Sequence, residues 1–228
     1  MKPERVSIEL FANLIPPSLV HESGKVFYSG RAAFSKPSPL YMLGVNPGGN
    51  PADYLIETVG RHTHLVLNEL PYNWSAYRDE EWEGAPPGTY GMAPRVLHLL
   101  NRLGVNPGSV PASNLLFVRS RREEHIQDRP SVLADLCWPF HAKVIEVLRP
   151  KVVLCFGRTA GKYVSGKLGA RHLVETFVEQ NNRRWESNAF KADDGVHVVV
   201  ATHPSIANWT KPITDPSVLV LHALGRGA

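Results

Sequence analysis

Apolar positions along this chain fall into two periods, and the two alternate. Short, nearly unbroken apolar runs at 39–45, 113–118, 151–157 and 195–201 read as buried strands, the third almost wholly apolar as parallel strands are. Between them lie stretches with helical spacing. Val96, Leu97, Leu99, Leu100 and Leu103 predict a helix over 92–103, with Gly104 as its stop. Residues 131–148, set between Pro130 and Pro150, and 158–168 predict two more, and 215–225 a closing helix. Near the start, Val6, Ile8, Leu10, Phe11 and Leu14 suit a short amphipathic helix over 4–14, halted by Pro16-Pro17. Lys25-Val26-Phe27-Tyr28 reads as an edge strand. Strands alternating with helices predict an α/β fold: a three-layer α/β/α sandwich around a four-stranded, mainly parallel sheet.

Residues 50–86 break the alternation. Pro51 suits the first position of a helix over 52–59. His62, His64, Trp74, Tyr77 and Trp82 follow without a clear period. A long connection of this kind in a compact domain is functional or disordered, and its aromatics argue against disorder. It is read as an insertion in a single domain spanning 1–228.

Composition narrows the class. With 228 residues the chain is long enough for one domain with a sizeable core. No apolar run reaches membrane-spanning length and the first residues lack a signal peptide's apolar region, so a cytoplasmic protein without membrane partners is expected; the chain is also read as a monomer. Two cysteines, Cys137 and Cys155, are too few for a cysteine-only zinc or iron–sulfur site and read as buried thiols. The formal charge of +4 permits nucleic-acid binding without requiring it. His62-Thr63-His64 offers two metal ligands with no carboxylate or cysteine beside them, so exposed loop histidines are expected and no metal. Dinucleotide-binding, P-loop and nucleophile-elbow patterns are absent from the sequence.

Three predicted strands empty into polar loops: Asn46-Pro47-Gly48, Arg119-Ser120-Arg121 and His203-Pro204-Ser205. If the strands are parallel, these loops share the carboxyl edge of the sheet, where open α/β sheets bind their ligands.

The same loops carry a resemblance. Gly44-Val45-Asn46-Pro47-Gly48 resembles the first motif of the uracil-DNA glycosylase superfamily, in the Asn form of its mismatch-specific and single-strand-selective branches. Gly88-Thr89-Tyr90-Gly91 resembles the segment that supplies a stacking aromatic. Asn114, with Arg119 five residues on, resembles the base-reading strand of the thermophilic branch. Cys137-Trp138-Pro139-Phe140, Pro150-Lys151-Val152-Val153 and Gly157-Arg158-Thr159-Ala160 resemble its third-strand region, and His203-Pro204-Ser205 its second catalytic motif. The likeness covers roughly residues 39–210. The chain departs from the family in lacking an Asp in motif one and the four cysteines of the iron–sulfur branches. It has Gly48 where the most uracil-specific branch has a thymine-excluding Tyr, which implies a roomier pocket.

The resemblance implies a cofactor-independent, monofunctional DNA-repair glycosylase. Its partner is DNA containing uracil or another deaminated base, and the reaction is hydrolysis of the N-glycosidic bond. Asn46 would orient the water and His203 would bond the anion developing on the departing base. Asn114 would read the base, Tyr90 would stack on it, and Gly44, Val45 and Gly48 would line its pocket. Ser205 and Ile206 would meet the DNA, with Ile206 or the nearby Trp209 as a wedge. Arg119, Arg121 and Arg122 would contact phosphates. Each residue also has a plainer reading. Asn46 suits a turn before Pro47, His203 a satisfied loop histidine, and Asn114 a strand-start hydrogen bond. Tyr90 suits a core or loop aromatic, and the arginines a solvated loop shared with Glu123 and Glu124. Two rivals follow: a non-catalytic DNA- or nucleobase-binding member of the same fold, and a hydrolase or binding protein for another nucleobase-like molecule. The stretch Asn181-Asn182-Arg183-Arg184-Trp185 mixes basic and aromatic residues and has no role assigned.

Overall fold

A computed structural model describes residues 6–82, 84–121, 126 and 130–227. The strands are β1 (Leu40–Gly44), β2 (Ala112–Asn114), β3 (Val152–Phe156), β4 (His172–Val178), β5 (Glu186–Lys191) and β6 (His197–Ala201). They form one sheet in the order β2-β1-β3-β6-β5-β4. The first four in that order are mutually parallel, while β5 runs antiparallel to both β6 and β4. The sheet is therefore six-stranded rather than four-stranded. The expected parallel core is present, and the β4–β5 hairpin extends it. That hairpin carries little apolar signal because β4 is the largely exposed edge strand and β5 buries only the small side chains Ser187 and Ala189.

Side chains alternate across the core strands, as the strand period requires. Tyr41, Leu43, Val153, Cys155 and Val198 face one layer; Leu40, Met42, Val152, Leu154, Phe156 and Val199 face the other. The first layer holds α1 (Ile8–Ala12), α2 (Val59–Asn68), α5 (Pro130–Leu148) and α6 (Arg158–Leu168). The second holds α3 (Ala76–Asp79), α4 (Ala93–Arg102) and α7 (Ser217–Ala223). The α/β/α layering follows from this sorting. Among the described residues, no helix is long and apolar enough to cross a membrane. Cys137 and Cys155 are free and buried, and burial pushes the Cys137 thiol up to about 11.

The core helices lie close to their expected spans; the differences fall elsewhere. Residues 25–28 run beside β2, with bridges Phe27 to Ser113 and Gly24 to Val118, and Ser113 Oγ donates to Val26 O. The second strand ends at Asn114 rather than 118, because its continuation turns to pair with this N-terminal segment. Pro51–Tyr54 forms only a 3-10 turn. The helix starts later, at Val59, where Thr58 Oγ1 accepts the Arg61 N–H at 3.2 Å. His62 and His64 thus lie on a helix rather than in an exposed loop. His62 is buried against Trp74, and burial lowers its pKa to about 3.

Candidate active site

The chain runs outward from β1 to β2 in one direction and then crosses to β3 and β6 in the other. The strand order reverses between β1 and β3, and the carboxyl ends of parallel strands at such a reversal leave a crevice. A cleft of about 940 Å³ opens there. Gly44, Val45, Asn46 and Gly48 line it from β1, Asn114 from β2, Phe156 to Thr159 from β3, and Thr202, His203, Ser205 and Ile206 from β6. Tyr90 and Arg121 line it as well.

The motif-one loop is held by its own amide. Asn46 Nδ2 donates to Pro47 O at 2.8 Å and to Ser120 Oγ at 2.9 Å. This fixes which end of the amide is nitrogen and turns Oδ1 away from Pro47 O. Oδ1 accepts no hydrogen bond among the described residues. A Cβ on Gly48 would meet nothing within 4 Å, so the loop puts no side chain into this part of the cleft.

Asn114 closes β2 opposite Gly44 and is buried. The hydroxyl of Tyr28 lies near its side chain, close enough to interact with it electrostatically. Burial, followed by the nearby Glu80 carboxylate, raises the Tyr28 pKa and keeps that hydroxyl protonated.

His203 follows β6. Its Nδ1 accepts the Ser205 backbone N–H at 3.1 Å and lies 2.7 Å from Ser205 Oγ. A backbone N–H can only donate, so in the neutral ring the proton sits on Nε2, which is left as a donor. The loop around it is tied down at successive carbonyls. Trp209 Nε1 donates to Thr202 O at 3.0 Å, and the Ile206 and Ala207 N–H groups both reach His203 O at 3.0 Å. Arg95 donates to Pro204 O, and Arg183 donates to Ile206 O at 2.7 Å. Gly157, beside the His203 ring, takes a φ of +94, a backbone conformation that favours glycine.

Two expected DNA contacts are placed elsewhere. Trp209 is wholly buried, packed edge-on to Phe156 at 5.6 Å, so it cannot wedge into a duplex. Arg119 is 4% exposed; its guanidinium lies 4.0 Å over the Tyr54 ring and is bonded to Gly48 O and Glu57. It braces motif one from inside and is withdrawn from any phosphate. Tyr90 and Ile206 are exposed at the rim, as are Arg121 and Arg158. Arg122, Glu123 and Glu124 lie outside the described residues.

Some of the site escaped the sequence reading. Arg119, Glu57, Lys25 and Glu80 form a chain of ion pairs running from Gly48 O into the cleft, with Lys25 Nζ 3.1 Å from Glu57 and also bonded to Glu80. Lys25 and Glu80 line the cleft beside Tyr28, Tyr77 and Trp82. The insertion at 50–86 therefore builds a wall of the site. A lone Lys in the apolar run 24–28 was the available signal, since Lys is almost never fully buried without a partner.

No curated protein matches the chain. The family model of the uracil DNA glycosylase superfamily matches residues 34–220, a span that holds all four parallel strands and every motif loop lining the cleft. With that match over most of its length, the chain belongs to the uracil DNA glycosylase superfamily.

Proposed function

We propose that this protein hydrolyses the N-glycosidic bond of uracil, or a related deaminated base, in DNA. The observation that carries the reading is the meeting of Asn46, Asn114 and His203, from the ends of three parallel strands, on one cleft. The base first leaves the stack, at a cost of a few kcal/mol that mismatched or single-stranded sites reduce. Tyr90 stacks on the extruded ring, a contact typically worth about 1–3 kcal/mol per base. Asn114 offers an acceptor and a donor, the pair that matches uracil N3–H and O4. As the glycosidic bond breaks, electrons pass to the base and the sugar gains oxocarbenium character. His203 Nε2–H donates to the oxygen that takes up this charge. A preorganised donor of this kind is worth about 3–4 kcal/mol in the transition state. Asn46 Oδ1 orients water toward the sugar. An amide is a poor base, so leaving-group stabilisation carries most of the rate. Ile206 fills the space the base vacates, and Arg121 meets backbone phosphate.

The test is cleavage of labelled oligonucleotides carrying one uracil, single-stranded and opposite each base, followed by alkali. Strand breaks that fall about 100-fold or more in His203→Ala are the expected result. No breaks with uracil, hypoxanthine or xanthine, together with salt-dependent binding, would instead establish a non-catalytic DNA-binding member of the fold.

A further inference from the structure

The unassigned stretch from Asn181 to Trp185 is the tip of the β4–β5 hairpin, and it is built to hold one ring still. The Glu179 N–H donates to Trp185 O at 2.9 Å and closes the tip. Asn181 Oδ1 accepts from the N–H groups of Arg183 at 2.9 Å and Arg184 at 3.3 Å. Asn181 Nδ2 and Arg183 both donate to Oε2 of the buried Glu179, at 2.8 and 3.0 Å. The Arg183 guanidinium lies 4.0 Å over the Trp185 ring, and its other arm reaches Ile206 O at 2.7 Å. Arg184 adopts a φ of +52. A non-glycine residue is strained in that region and persists there when its surroundings fix it.

The outcome of this construction is a half-buried indole on the cleft wall, beside the loop that carries His203. Nothing in the reaction described above uses it.

We infer that Trp185 contacts the substrate strand: its indole stacks on the base next to the one removed, and Arg183 fastens that ring to the Ile206 end of the catalytic loop. The inference rests on the glycosylase reading. With the extruded base between Asn114 and His203, the neighbouring nucleotide passes the rim at Ile206, to which Arg183 ties the Trp185 ring. Every base has a π-face, so the contact tolerates sequence, and its ligand is any unpaired nucleobase of the damaged strand. Arg183 is a positioning residue here, acting through Trp185 and the Ile206 carbonyl.

The test alters the substrate before the protein. Single-stranded uracil oligonucleotides are prepared with a stable abasic residue on the 5′ or the 3′ side of the uracil. Wild type is expected to lose about tenfold in kcat/KM, through KM, when the neighbour on one side is missing. Trp185→Ala should lose a similar factor on the intact strand and be indifferent to the missing neighbour. Trp185→Phe should keep most of the sensitivity, and Arg183→Lys should recover part of what Arg183→Ala loses. Wild type indifferent to both abasic neighbours, or Trp185→Ala as sensitive as wild type, overturns the inference while leaving the glycosylase reading intact. Wild type that cleaves no uracil strand overturns the glycosylase reading and this inference together.

Discussion

The side-chain oxygen of Asn114 occupies the space where Gly44 would carry a Cβ: an ideal Cβ there lies 2.1 Å from Oδ1. Gly44 and Asn114 are also partners in the parallel ladder between β1 and β2. The glycine that opens motif one is thus the seat of the side chain proposed to read the base. Gly44→Ala must either displace the amide or part the strands at their ends. A displacement near 1 Å at a reacting centre costs on the order of 100-fold in rate. The variant should lose about that factor in kcat/KM for uracil strands while its circular dichroism stays that of wild type. Unchanged turnover would mean that Asn114 has another position available to it.

Arg119 and Arg121 are two residues apart, and their expected effects separate cleanly. Arg119 is buried and bonded to Glu57 and Gly48 O, so Arg119→Ala removes both bonds and the stacking on Tyr54; Glu57 keeps Lys25, and the loss is about 2 kcal/mol. Its log–log salt slope for DNA binding should equal that of wild type. Arg121 is exposed at the cleft, so Arg121→Ala should leave stability alone and reduce that slope by about one unit. Urea melts and binding isotherms at several salt concentrations check both. A reduced slope in Arg119→Ala would return that residue to the phosphate contacts.

These two arginines also mark how far the sequence could be read. The parallel strands and their helices were legible because each is a strong local pattern: unbroken apolar runs, helical spacing, proline and glycine stops. The cleft was legible because parallel strands must end on one edge. What was missed depends on pairing. Arg119 looks like a surface cation until Glu57, 62 places away on the insertion, is folded against it. Trp209 looks like a loop aromatic until Phe156 and Thr202 O enclose it. The β4–β5 hairpin has an exposed edge strand and a partner that buries only small side chains, so no apolar period announces it.

Two buried histidines set an acid limit on stability. Burial lowers the pKa of His62 to about 3 and that of His141 to about 4. The folded protein keeps both rings neutral, whereas the unfolded chain takes up protons near the ordinary value of 6.5. Below that value the unfolded state binds more protons, so stability falls as pH falls, from about 6.5 down to the folded values. Each ring contributes a slope of up to about 1.4 kcal/mol per pH unit. His62 Nδ1 is buried with no hydrogen-bond partner among the described residues, so His62→Leu should cost little at pH 7 and flatten the slope between pH 4 and 6. Urea unfolding across that range measures it, and an unchanged slope would show that other groups dominate acid unfolding.

The hydroxyl of Tyr28 is a polar neighbour of the Asn114 side chain, from a segment outside the family motifs. An amide presents an acceptor at one end and a donor at the other, and a 180° flip exchanges them. Uracil offers N3–H and O4 to that amide; cytosine offers N3 and an amino group, the reverse order. Whatever fixes the flip therefore sets which of the two bases is read. Tyr28→Phe removes this polar neighbour without removing the ring that packs 6.0 Å from Tyr77. If the hydroxyl orients the amide when a base is bound, its loss costs about 1 kcal/mol, so uracil cleavage should fall roughly fivefold. The uracil-to-cytosine rate ratio should shrink by at least that factor, because the flipped amide favours the wrong base. Parallel assays on uracil and cytosine strands read the ratio directly. A purely structural loss would lower both rates alike and leave the ratio where it was, and that result would remove Tyr28 from base selection.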